Sequence, residues 1–83
     1  MTNEQIANFL QPKYFGKMPV QINFKSRPSL QGIFIEMADY RELKSKNLWR
    51  IVSESKISEY QQSKDDSLAR IFNGTDITKL VLV

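Results

Sequence analysis

The residues able to do chemistry in this chain are first narrowed by what is missing. There is no histidine and no cysteine, so the commonest general base, the commonest thiol nucleophile and most transition-metal ligands are absent. Nine carboxylates remain, and the only adjacent pair, Asp65-Asp66, lies in a polar stretch. Two solvated carboxylates are expected there rather than an acid/base dyad, which needs surroundings that push the two pKa values apart. Glycine occurs only at positions 16, 32 and 74, too sparsely for a Rossmann or P-loop phosphate cradle. Asn73-Gly74-Thr75 matches a glycosylation acceptor, but with no secretory signal ahead of it the match reads as a turn. A binding module without catalysis, cofactor or metal is the expectation.

Chemistry suited to recognition gathers in one place. Arg41, Lys44, Lys46 and Arg50 are interleaved with Tyr40 and Trp49, a mixture that fits phosphate contact plus base stacking on single-stranded nucleic acid. The same residues also fit a solvated hairpin, with Trp49 in the core. Net charge is +3 and the pI about 9.3. That balance permits polyanion binding without the basic density of an obligate DNA binder.

The elements that position these residues are legible from periodicity. Thr2 and Gln5 stand at capping-box spacing, and Ile6, Phe9 and Leu10 then form one apolar stripe, which predicts a helix over about 3–11, stopped by Pro12. So short a helix needs a partner for its apolar face. From Val20 the period becomes two, with Val20, Ile22 and Phe24 on one side and Gln21, Asn23 and Lys25 on the other, a half-buried strand. Ser26-Arg27-Pro28-Ser29 supplies a turn. Leu30 to about Tyr40 reads as a second strand, with Gly32 at a bend or close backbone approach. Residues 41–47 read as a hairpin loop and Leu48–Val52 as a third strand.

Residues 53–67, with only Ile57 and Tyr60 as apolar anchors, read either as a long excursion or as strand ends meeting at a polar tip. A fourth strand is expected over Leu68–Phe72, a turn needing positive φ at Asn73-Gly74-Thr75-Asp76, and a fifth strand from Ile77 to Val83. These elements predict a single domain over 1–83. Its class is mainly β with a short N-terminal helix, as a five-stranded, strongly bent antiparallel barrel over about 18–83.

The composition, 41% hydrophobic and 25% charged with nine aromatics, suits a packed core. A chain this short buries only about 60–65% of its unfolded surface, and without disulfides self-association is the supplement to expect. The apolar C-terminal strand either closes its own barrel or pairs with an identical subunit. Neither a leader-like opening nor a run of about 20 apolar residues is present, which predicts a cytoplasmic chain with no membrane partner.

Met18-Pro19-Val20-x-Ile22, Leu30-Gln31-Gly32-x-Phe34 and Asp39-Tyr40, followed by Arg70-Ile71-Phe72-Asn73-Gly74-Thr75-Asp76-Ile77, resemble the two motifs of the Sm-like (Hfq-like) superfamily of small SH3-like barrels. The resemblance spans nearly the whole chain. It implies rings built by pairing strand four with strand five of a neighbour, and single-stranded RNA bound with a base stacked on an aromatic after strand two. Tyr40, Asn47 and Asn73 are the nearest occupants of the base-binding positions, with Arg41, Lys44 and Lys46 beside them. Asp39 and Asn47 stand about twice as far apart as in the family pattern, and Asn73 replaces its usual Arg or Lys. The expected function is therefore single-stranded RNA or other nucleic-acid binding. The alternative is an SH3-like protein-interaction or self-assembly module.

Overall fold

The computed structural model describes residues 1–83. At the amino terminus the capping box forms in both directions. The Gln5 N–H donates to Thr2 Oγ1 at 3.1 Å and the Thr2 N–H to Gln5 Oε1 at 2.9 Å, satisfying donors a helix start leaves orphaned. Helix α1 spans Asn3–Phe9 with Leu10 as C-cap, and Pro12 opens a 3₁₀ turn, Pro12–Tyr14.

Five strands follow: β1 (Val20–Phe24), β2 (Leu30–Phe34), β3 (Leu48–Ser53), β4 (Arg70–Asn73) and β5 (Ile77–Leu82). All pair antiparallel in one sheet of order β4-β3-β2-β1-β5. The sheet is not a closed barrel: β4 pairs only with β3 and β5 only with β1, leaving both as edges. It is nevertheless curled. A 3₁₀ turn of three residues, Gly74–Asp76, joins the two edge strands. Four residue steps reach at most about 14 Å, whereas the edges of a flat five-stranded sheet would lie about 19 Å apart.

About 31% of residues are in strands and 39% in helices and 3₁₀ turns, so the mainly-β expectation is corrected. The expected hairpin loop at 41–47 is largely a helix, α2 (Tyr40–Ser45), and the polar stretch 53–67 is a helix, α3 (Glu54–Ser63), with a 3₁₀ turn at Asp66–Leu68. Ile57 and Tyr60, one turn apart, dock α3 onto Ile33, Ile35 and Val52, and such tertiary packing carries most of the stability of a short helix. The strand expected to reach Tyr40 stops at Phe34.

The alternation of side chains gives the sheet two apolar faces. Phe34 pairs with Ile51 and Ile33 with Val52. The first pair belongs to a ten-residue core with Ile6 of α1, its C-cap Leu10, Trp49, Ile77 and Leu80, and the second to the small cluster beneath α3. Gly32 is required by a close approach: a Cβ there would lie 2.7 Å from the Val52 carbonyl oxygen and 2.8 Å from Ile51 Cγ2. No helix is long and apolar enough to cross a membrane.

Candidate nucleic-acid interface

Tyr40 opens α2, and its ring is already engaged, meeting Phe15 edge-on at 5.3 Å and Trp49 at 6.0 Å, with Lys44 Nζ 6.0 Å from its centroid. Burial, and secondarily the charge of Glu36, raises its hydroxyl pKa above the usual 10.0. Arg41 on α2 and Lys46 at its C-cap are exposed, and Lys46 lies 3.5 Å from Glu42, an exposed pair one turn apart. Asp39 precedes the helix and holds it to β3 through Arg50 Nη2, 2.6 Å from Asp39 Oδ2. That ion pair assigns Arg50 to α2–β3 docking. The residues between Asp39 and Asn47 form α2 and its C-cap, Lys46.

Asn47 does not present its amide to a ligand. It sits in the left-handed region at φ 57°, tolerated by Asn because its short polar side chain bonds locally. Its Oδ1 accepts from Trp49 Nε1 at 2.8 Å and its Nδ2 donates to the Met1 carbonyl at 2.9 Å. Trp49 itself is 2% exposed, a core residue. The Asn47 carbonyl accepts from the Gly74 N–H at 2.7 Å, which sets Asn47 beside the Asn73-Gly74 step, but the side chains of Asn47 and Asn73 do different work. Asn73 Oδ1 caps the following 3₁₀ turn, accepting from the Thr75 N–H and Oγ1 at 3.0 and 2.9 Å, and its exposed Nδ2 has no intramolecular partner. The turn expected to need positive φ does not: Gly74 lies outside the left-handed region and is required because a Cβ would lie 2.1 Å from Asn47 Oδ1.

A second surface, not anticipated from the sequence, lies at the other side of Asn73. Phe24 at the end of β1 and Phe72 on β4 place their half-buried rings 5.8 Å apart with a 32° tilt. The Arg27 guanidinium carbon lies 5.3 Å from one ring centroid and 5.7 Å from the other. This pair floors a groove of about 540 Å³ whose rim carries Arg70 and Lys56 and whose lining includes no carboxylate. Both cations are exposed and neither is in an ion pair. The sequence offered only fragments of this signal. Arg27 read as a turn residue and Lys56 as part of a polar stretch, and nothing local brings Phe72 beside Phe24.

In comparison with known proteins, the chain matches no family model, no curated protein and no solved structure. Among the side chains, no group of three or more carboxylates, histidines or cysteines could hold a metal ion.

Three groups are shifted in the folded chain, and each adds its own pH dependence to stability. Ser67, through its hydroxyl at 2.6 Å and its backbone N–H at 3.0 Å, lowers the Asp65 pKa below 3.8. Burial raises Tyr40 and Tyr60 above 10.0, each with help from a nearby carboxylate, Glu36 and Asp66 respectively. As pH falls past about 4, the unfolded chain takes up the Asp65 proton before the folded one does, so stability drops. As pH rises past about 10, the unfolded chain releases tyrosine protons first, and stability drops again. The contribution of these groups to a melting-temperature profile is therefore flat between those limits, and Asp65→Asn should flatten the acid limb while Tyr60→Phe flattens the alkaline one. Unchanged limbs in both variants would assign the pH dependence to other groups.

Proposed function

We propose that this chain is a non-enzymatic binding module of the Sm-like or SH3-like class that takes single-stranded RNA, or another single-stranded nucleic acid, on the Phe24/Phe72 groove. One observation carries the reading: two adjacent aromatic rings under a guanidinium, rimmed by unpaired cations, in a groove free of carboxylates. Stacking one base on an aromatic is worth about 1–3 kcal/mol and tolerates any base. Arg27 adds a cation–π partner, while Arg70 and Lys56 suit the flanking phosphates. The class reading is supported by the N-terminal helix, the five-stranded antiparallel order, and the free edges of β4 and β5, the strands the resemblance assigns to subunit pairing.

The test is fluorescence anisotropy with labelled single-stranded and duplex oligonucleotides at 50 and 200 mM salt. Single strands are expected to bind more tightly than duplex and to weaken as salt rises, because phosphate contacts release counterions. Arg27→Ala and Phe72→Leu should each weaken binding by about 5- to 100-fold, Leu keeping apolar volume but losing the stacking face. No binding to any oligonucleotide pool, or a salt-insensitive affinity, would sink the reading.

A self-assembly role is favoured by a separate observation: both edge strands expose apolar side chains, Ile71 at 50%, Val81 at 38% and Leu82 at 43%. Unpaired edges of this kind are templates for strand addition. Light scattering on the same samples separates the two readings, since a strict monomer that binds RNA leaves the edges without a pairing role.

A further inference from the structure

We propose that a bound strand does not stop at the aromatic groove but runs on across Asn73 to the C-terminal end of α2, along one continuous basic track. The inference rests on the nucleic-acid reading above and extends it from one stacked base to a footprint of several nucleotides. Three depressions adjoin through shared or chain-neighbouring lining residues. The aromatic groove, about 540 Å³, shares Phe24, Arg27, Arg70 and Phe72 with a second depression of about 490 Å³ that reaches Ser26 and Asn73. Beyond that lies a third of about 530 Å³, which contains Lys25, Lys46, Asn47 and Thr75.

The second and third share no residue, but their walls are chain neighbours held by hydrogen bonds across the boundary. Lys25 and Ser26 are consecutive, and the Lys25 N–H donates to the Asp76 carbonyl at 2.9 Å. On the opposite side the Gly74 N–H, next to Asn73, donates to the Asn47 carbonyl at 2.7 Å. The 3₁₀ turn Gly74–Asp76 that curls the sheet is thus also the bridge over which the track passes.

Charge along this path is one-sided. Lys56, Arg70, Arg27, Lys25 and Lys46 line it against a single carboxylate, Asp76, although the chain as a whole carries nine acidic residues to twelve basic ones. A polyanion fits that bias, and a row of cations beside one stacking platform suits a flexible single strand more than a rigid duplex. Lys46 meets Glu42 only through an exposed pair, which costs little to exchange for a phosphate. Near the middle, the unpartnered Asn73 Nδ2 supplies a neutral donor where the resemblance calls for a cation. Lys46 and Asn47, just past the end of α2 and singled out by the sequence, and the groove residues revealed by the fold then belong to one surface.

The experiment is a length ladder of oligouridylates, two to eight nucleotides, titrated into the full chain and into Lys25→Ala, Lys46→Ala and the off-track control Lys13→Ala. The shortest oligomers should bind the parent and Lys46→Ala equally, since they fill only the aromatic groove. Longer ones should bind the parent more tightly, and Lys25→Ala or Lys46→Ala should erase that gain. Full occupancy of five cations corresponds to a log K against log salt slope of about −3.5, and each on-track variant should reduce its magnitude by about 0.7. If Lys25→Ala and Lys46→Ala leave the length dependence intact, or Lys13→Ala alters it equally, the track is wrong while groove binding stands. Failure of every length to bind the parent would overturn both.

Discussion

Replacing Gly74 by Ala is expected to remove a large share of the chain's stability and to lower its urea midpoint well below the parent's. The added Cβ would lie 2.1 Å from Asn47 Oδ1, 2.6 Å from Asn47 Cγ and 2.7 Å from Ile6 Cδ1. Backbone strain plays no part, because Gly74 is outside the left-handed region. Nor can Asn47 swing aside freely: it holds the Trp49 indole and the Met1 carbonyl. Overpacking of this kind costs about 1–3 kcal/mol, and displacing Asn47 orphans a buried indole N–H for about another 1–3 kcal/mol. The sum, about 2–6 kcal/mol, compares with a total stability of about 4–12 kcal/mol for a chain this long. Urea denaturation measures it. Asn47→Gly keeps the left-handed backbone while removing the obstructing amide, so in that background Gly74→Ala should cost less than half as much. An equal cost in both backgrounds would rule out the Asn47 clash as the cause.

Trp49→Ala should be comparably severe, about 3–5 kcal/mol. The indole is buried, meets Phe34 edge-on at 6.1 Å and Tyr40 at 6.0 Å, and donates to Asn47. Trp49→Phe retains much of the ring contact but deprives Asn47 Oδ1 of its donor, and should cost about 1–3 kcal/mol less than the alanine variant. Both losses would appear as lower urea midpoints. Were Trp49 a base platform instead, Trp49→Phe would leave the midpoint in place and weaken oligonucleotide binding, which is the contrary outcome.

The local sequence does not decide the role of either position. An Asn beside a basic cluster and a Trp among strand-forming residues are compatible with a ligand pocket or with a core. The burial of Trp49 places it in the core, and the 2.8 Å bond between the two turns the half-buried Asn47 to holding it. The two short helices were missed for a related reason. In α3 the sole apolar spacing is Ile57 and Tyr60, one turn apart amid Ser, Glu, Gln and Lys. It becomes decisive only because Ile33, Ile35 and Val52 present a second apolar face to receive it. In α2 the six residues are too few for a periodic pattern to stand out.

The sequence alone determined the local devices. Thr2 and Gln5 close the cap of α1, alternation in β1 sets its buried and solvent sides, and the missing His and Cys remove whole classes of chemistry. Each depends on residues a few positions apart, where propensity and periodicity act. Tertiary structure alone decided that the sheet curls without closing, that Asn47 serves the core, and that Phe24, Arg27, Lys56, Arg70 and Phe72 share a groove. Those outcomes come from pairing β1 with β5 and β3 with β4 across a curled sheet. Contacts between distant segments leave no period in the chain for a reader to find.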